Sequence, residues 1–494
     1  MTSTFSIVKE KLQELHDLEN IQSVLHWDME VMMPAKGVTA RGEQLTTLSA
    51  LHHRLATSEE LGALLQECAG DASLAPDEKC LVAEAWYDYE RTKKLPEQYV
   101  RNLSDARTAS YHAWTKARKN NDFHGFEPFL ARNVELAREG AELLGYVESP
   151  YDALLENFER GMTTAQLQEL FTPLAAELQQ LVQQIIAKGQ ADKAWINGEW
   201  NEGRQKEFTE RVLRDIGYDF EAGRIDFAAH PFCTNFDSQD VRITTRNEKT
   251  VFGLFLSSLH EAGHALYEQG FDSAVRRSLL AAAPSLGIHE CNSRLWENLV
   301  GRSIPFWQHY TPILQQLFKD DRLANKSAED FAAAASYVEP SLIRVDADEV
   351  TYSLHVVIRF ELEKALIEGS LNVSELPEAW AARYKQYLGI SVPNHADGCL
   401  QDVHWSEGLF GYFPTYALGN LYAAQVMETI RAQHPELDAE IARGDTRSIL
   451  DFLREKIHHV GRRKLAPQII EEATGQKLSS DAFLRAIRAK YNLN

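Results

Sequence analysis

A chain of 494 residues, 44% hydrophobic and 25% charged, has the balance of a globular protein with a sizeable core, and is neither disordered nor fibrous. Its formal net charge of −21 argues against nucleic-acid and anionic-membrane partners, because such a surface repels phosphates. The five cysteines, Cys68, Cys80, Cys233, Cys291 and Cys399, are odd in number, widely spaced and without a CxxC pair, which disfavours a disulfide framework and fits a reducing, cytoplasmic setting.

Met1 to Ile7 lacks the basic patch and apolar run of a secretory leader, so none is expected. No stretch has the apolar length a membrane span needs. Leu12, Leu15, Leu18, Ile21 and Leu25 recur every three or four residues and predict a first helix, stopped at Pro34. Leu174, Leu178, Leu181 and Ile185 predict another just after Pro173, closed by Gly189. Between about Trp195 and Thr250 the pattern loosens. There Val241-Arg-Ile-Thr-Thr-Arg246 alternates apolar and polar residues and reads as a short strand. His230, preceding a proline, is pushed toward extended backbone. Val251–Gln269, Leu286–Gly301, Ile343–Gly369, Ser448–Arg462 and Asp481–Tyr491 read as helices. The expected fold is mainly α, with two helical lobes and a small β-sheet, and residues 1–494 form one catalytic unit.

Chemistry concentrates in Leu259-His-Glu-Ala-Gly-His264, an HExxH pattern. Residues four apart on a helix share a face, so His260 and His264 can offer two imidazole nitrogens to one metal ion. Glu261, beside the first ligand, is placed to act as a base on a water at the metal without binding it. Gly263 weakens the helix relative to alanine, and its small size would let another backbone approach. The bland alternative is a helix face with two ordinary histidines.

Leu286–Gly301 decides between them. Glu290, near its start, can supply the third donor, completing a known catalytic zinc set of two histidines and one carboxylate. Glu297, seven residues on, shares that face and is either a support for the ligands or a surface charge.

The chain resembles the Taq-type metallocarboxypeptidase family over nearly its whole length. The likeness is an ordered series: His230-Pro-Phe232, Asp240-Val-Arg-Ile-Thr244, His260-Glu-Ala-Gly-His264, His289-Glu290, Ile343-Arg-Val-Asp-Ala-Asp348 and Gly398-Cys-Leu-Gln-Asp-Val-His-Trp405. The early Trp27-Asp28 and Met33-Pro34 are also similar. One departure is Cys291-Asn-Ser293, where the family commonly has Ser-Gln-Ser; a cysteine beside the site raises the prospect of redox sensitivity. The resemblance implies a neurolysin-like helical fold around a deep cleft, a homodimer, and zinc, with cobalt able to substitute. It implies release of single C-terminal amino acids with broad specificity, poor at proline.

Further residues carry two readings each. Arg344, Asp348, Tyr352 and His355 fall on one face of the helix expected over Ile343–Gly369. Arg344 would recognise the substrate carboxylate and Asp348 orient a metal-binding histidine, or both belong to a structural ion-pair network. His404 is a candidate for stabilising the oxyanion or the carboxylate. Tyr412 and Tyr416, in a glycine-flanked loop, are candidate donors to the oxyanion or ordinary core aromatics. His230 and Arg242 are candidates for the substrate-binding wall, or polar anchors of the sheet. His16, His52, His53, His458 and His459 read as surface or helix-face histidines.

The function expected is therefore a zinc carboxypeptidase acting on peptides with a free C-terminus. Two readings compete with it: an endo-oligopeptidase with the same zinc site, and a helical binding protein with a structural metal. Glu261 argues against the last, because a structural site needs no base beside a ligand.

Overall fold

The computed structural model describes residues 3–493. Helices dominate it, and their ends follow local chemistry. The first, Thr4–Val31, is capped by the Ser3 hydroxyl, and Pro34 lies just beyond its end. It pairs with Val38–Ala56, a helix with no fully buried residue. The helix expected after Pro173 begins earlier, at Thr164, and runs to Lys188 with Pro173 inside. A capping box between Thr163 and Gln166 starts it, and buried Leu167 and Phe171 extend the apolar stripe upstream. That packing outweighs the hydrogen bond lost at the proline. Gly189, at φ +82°, ends the helix as expected.

Three strands form the small sheet: β1 (Gly223–Phe227), β2 (Cys233–Asp237) and β3 (Asp240–Thr245). Their order is β1-β3-β2, with β1 parallel and β2 antiparallel to β3. Val241 and Ile243 are fully buried, and the Ser258 hydroxyl donates to Thr245 Oγ1 at 2.9 Å. This bond ties β3 to the helix Phe255–Gln269. The strand expected over residues 241–246 is β3, shifted by one residue, and the sheet lies against the HExxH helix.

The helix Leu286–Arg294 continues as a π-helix, Leu295–Val300, and stops at Gly301. A long helix, Pro414–Gln433, is buried along most of its length and packs on Leu286–Arg294.

One expectation fails clearly. Ile343–Gly369 is not a single helix: Arg344–Asp346 forms a 3₁₀ turn, and the α-helix is Tyr352–Glu368. The cause is Asp348. Its carboxylate accepts from the backbone N–H groups of Val350 and Thr351 at 2.9 and 3.0 Å, from the Thr351 hydroxyl at 2.7 Å, and from Glu339 N at 3.1 Å. An aspartate bonded this way fixes the turn before the helix and competes with helical bonding of the preceding chain. Arg344, Asp348, Tyr352 and His355 therefore do not share one helical face.

The main core centres on Trp296, Trp307 and Trp380, each almost wholly buried. A smaller cluster, around Val8, Leu12, Leu65 and Tyr89, lies under the N-terminal helices. Among the described residues no helix is long and apolar enough to cross a membrane.

Candidate metal centre

The helix Phe255–Gln269 carries His260 and His264 one turn apart, with ring centroids 5.0 Å apart. Glu290, on Leu286–Arg294, faces them: its Oε2 lies 3.3 Å from His264 Nε2 and 3.8 Å from His260 Nε2. All three donor atoms fall within 4.8 Å of one another. Tetrahedral zinc ligands at about 2.0–2.2 Å from the ion sit roughly 3.3–3.6 Å apart, so the set needs only a small closure to hold such an ion.

Two glycines allow this approach. A Cβ on Gly263 would lie 2.5 Å from Ser293 Cα, so the helices can cross this closely only with glycine there. This is the close backbone contact anticipated for Gly263. A Cβ on Gly419 would meet Glu290 Cγ at 2.5 Å. Glycine at 419 leaves room for the third donor against the helix Pro414–Gln433, and no local signal in the sequence marks it.

The other imidazole nitrogens are held by the protein. His260 Nδ1 donates to Glu297 Oε2 at 2.9 Å. His264 Nδ1 faces the His289 carbonyl at 3.2 Å and His289 Nδ1 at 2.6 Å, while His289 Nε2 meets Glu268 Oε1 at 2.6 Å. These bonds keep both Nε2 atoms free to face a metal. Glu297 is the supporting residue of the two readings, not a surface charge. Asp348, by contrast, bonds no histidine among the described residues; it holds the turn that leads into the helix Tyr352–Glu368. Glu268, eight residues after His260 and four after His264, was legible from spacing on the same face and went unread.

The electrostatics suit these roles. Burial opposes the charge on Glu290, but Arg294 at 2.7 Å and the two histidines outweigh it and hold the carboxyl well below its usual range. Burial, with His289 beside it, lowers His264 to about 3, so it is a neutral donor. Glu261 is 7% exposed; burial pushes it up to about 7 against the attraction of His260. A carboxyl raised to near neutrality is suited to exchanging a proton. Cys291 is fully buried, and burial pushes its thiol far up, which removes the redox sensitivity anticipated from its position.

Four of the remaining candidates lie together, and two of them feel the charge of Glu290. Burial raises Tyr412 to about 12, and the charge of Glu290 reaches both it and Tyr416. The loop expected to hold both tyrosines ends early, since Tyr416 lies in the helix Pro414–Gln433. His404 Nε2 is 3.2 Å from Tyr416 Oη, and burial, with Arg344 nearby, lowers this imidazole to about 3. Arg344 lies over the Tyr416 ring at 4.9 Å and donates to Tyr352 Oη at 2.9 Å. Arg344 and the fully buried Arg359 share one carboxylate, Asp402, at 2.8 and 2.7 Å. Two guanidinium groups on one carboxylate leave a positive charge in excess.

The other two lie elsewhere. Arg242, on β3, is clamped by Asp240 through two bonds of 2.8 Å and stacks over Trp27 and Phe236 at 4.4 and 4.8 Å. His230 is exposed in the connection between β1 and β2. His458, read as a surface or helix-face histidine, is fully buried and bonds Asn292 Oδ1 at 2.8 Å, bracing the helix that carries Glu290.

A helical protein with two histidines and a carboxylate converging beside a buried glutamate has the donor arrangement of a metallopeptidase. The family model described as Carboxypeptidase Taq (M32) metallopeptidase matches residues 7–491. The chain is 40% identical to Thermostable carboxypeptidase 1 of Thermus thermophilus, over 96% of this chain and 95% of that one. It is 39% identical to Carboxypeptidase 1 of Bacillus subtilis, covering 97% and 96%. The solved M32 carboxypeptidase of Deinococcus radiodurans superposes with a TM-score of 0.97 at 40% identity, covering 99% of each chain. This chain belongs to the M32 family of metallocarboxypeptidases, and its substrates are peptides.

Proposed function

We propose that the protein holds a zinc ion on His260 Nε2, His264 Nε2 and Glu290 Oε2 and releases single C-terminal residues with broad specificity, poorly at proline. The observation that carries this reading is the convergence of those three donors within 4.8 Å, with Glu261 next to the first of them. Zinc, when bound, supplies a Lewis acid that polarises the scissile carbonyl and acidifies a water. Cobalt, which accepts the same donors, would substitute.

Glu261 takes the proton of the attacking water and delivers it to the leaving amine. Tyr412 and Tyr416 stay protonated, since burial raises both, and donate hydrogen bonds to the oxygen where negative charge develops. Neutral His404 holds the Tyr416 hydroxyl. Arg344 binds the terminal carboxylate: it contributes to the unbalanced positive charge around Asp402, and its desolvated guanidinium strengthens such a pair. Arg242 and His230 line the wall along which the peptide enters. Residues 1–494 act as one catalytic unit, and two copies form a homodimer. The five free thiols fit a cytoplasmic location.

The test is amino-acid release from paired peptides with free and amidated C-termini, before and after chelation and zinc restoration. Sequential loss from the free C-terminus alone, abolished by chelator and restored by zinc, is expected. Internal cleavage of both peptides would establish an endopeptidase, and zinc binding without cleavage would leave a scaffold.

A further inference from the structure

We infer that a cavity beneath the C-terminal helix binds an amphipathic carboxylate, an aliphatic chain bearing one anionic head, at a site separate from the peptide site. The cavity has a volume of about 840 Å³, within the range of small-molecule sites. The helix Asp481–Lys490, the helix Pro414–Gln433 and the segment from Leu299 to Pro305 enclose it. Seven alanines line it, giving a smooth apolar wall that fits an aliphatic body and offers little to a polar one.

Cations mark where the head belongs. Lys188, Arg302, Arg431, Arg485 and Lys490 line the cavity against three acids, Glu329, Glu428 and Asp438. Arg431 pairs with Asp438 and Arg485 with Glu428, and Lys188 is the lining cation that no carboxylate meets among the described residues. Two of these cations keep donors in reserve. Arg302 donates through Nη2 to Glu297 at 2.7 Å and through Nη1 to the Ala335 carbonyl. Its Nε has no hydrogen-bond partner among the described residues but is buried out of a ligand's reach, so the reserve lies with Lys490 and Lys188. Lys490 Nζ meets Glu349 at 2.6 Å and the Asn298 carbonyl at 3.2 Å, which uses two of its three N–H groups. Lys188 pairs with two backbone carbonyls, of Tyr491 and Asn492, at 3.1 and 3.0 Å, so no carboxylate balances it in those bonds.

The cavity also adjoins the metal centre through bonds. Arg302 holds Glu297, and Glu297 holds His260.

The experiment is calorimetric titration of the whole protein with dodecanoate, in zinc-loaded and chelated forms, with dodecanol as the uncharged control. Saturable binding of one dodecanoate per chain is expected, unaltered by chelation, with dodecanol at least tenfold weaker. Ala333→Phe and Ala486→Phe, each filling the cavity from a different element at a site not fully buried, should each weaken dodecanoate at least tenfold while circular dichroism stays unchanged. Lys188→Gln should weaken dodecanoate and leave dodecanol unaffected. Absence of saturable binding, binding lost on chelation, equal binding of dodecanol, or full affinity in both filled variants would overturn the proposal. So would filled variants that change the sedimentation of the protein while dodecanoate fails to bind, since the cavity would then be a contact between copies.

Discussion

Glu297 joins His260 to Arg302: one carboxylate oxygen lies 2.9 Å from His260 Nδ1 and the other 2.7 Å from Arg302 Nη2. The buried arginine keeps this carboxylate charged despite desolvation, and the charged carboxylate orients the imidazole. Glu297→Gln should lower zinc affinity by about 10- to 100-fold, the usual effect of removing such a support. Competition with a chromophoric chelator measures it. Undiminished affinity would mean that packing alone orients His260.

Glu261 and Glu290 should separate cleanly by substitution. Glu261→Gln is expected to retain stoichiometric zinc and to lose turnover by roughly 10²- to 10⁴-fold, the range for a general base. Glu290→Gln should lose the metal as well. Metal content by mass spectrometry beside kcat tests both, and full turnover in the Glu261 variant would sink the mechanism.

Gly419 and Gly42 should respond oppositely to alanine. At Gly419 the new Cβ lies 2.5 Å from Glu290 Cγ, so we expect a loss of about 1–3 kcal/mol in stability and weaker zinc binding. At Gly42, inside the helix Val38–Ala56, a Cβ meets nothing within 4 Å, and alanine should gain roughly 0.5–1 kcal/mol. Urea midpoints of both variants decide the matter. A stable, fully zinc-binding Gly419→Ala protein would show that the two helices can part there at no cost.

Glu363 should make stability fall as pH rises. Burial pushes its carboxyl up to about 7, against hydrogen bonds from Tyr151 Oη at 2.6 Å, Trp405 Nε1 at 2.8 Å and Gly411 N at 3.1 Å. Its folded pKa exceeds the unfolded value of 4.5, so the folded state binds more protons between the two. Its contribution is therefore lost as pH rises from about 4.5 to about 7 and is constant above, amounting to about 3 kcal/mol. Glu363→Gln should gain on the parent by up to that amount across this window. Denaturant unfolding at pH 5 and pH 8 measures the change, and parallel behaviour of the two proteins would refute it.

Much of the metal centre was legible because its donors obey local rules. His260 and His264 share a helix face by spacing alone, and Glu290 opens the next helical segment but one. Arg294, four residues beyond Glu290, and Glu268, four beyond His264, follow the same rule. Arg344 and Asp348 were misplaced because helical spacing over residues 343–369 is real only from Tyr352 onward. Nothing in the apolar pattern distinguishes Asp348 as a side chain turned back on the backbone.

The sequence by itself determined the helical character of the chain, the third strand, and the identity of the three candidate donors and of the glutamate beside them. Each of these depends on which residues recur at a helical or strand period, and that is a property of a few consecutive turns. Only the tertiary structure decided that Glu297 faces inward, that Gly419 makes room for Glu290, that Arg344 and Arg359 share Asp402, and that Arg302 keeps a buried N–H unpaired among the described residues. Those relations join residues from separate elements, many of them far apart along the chain. Desolvation makes each of them matter, and desolvation exists only once the elements have packed.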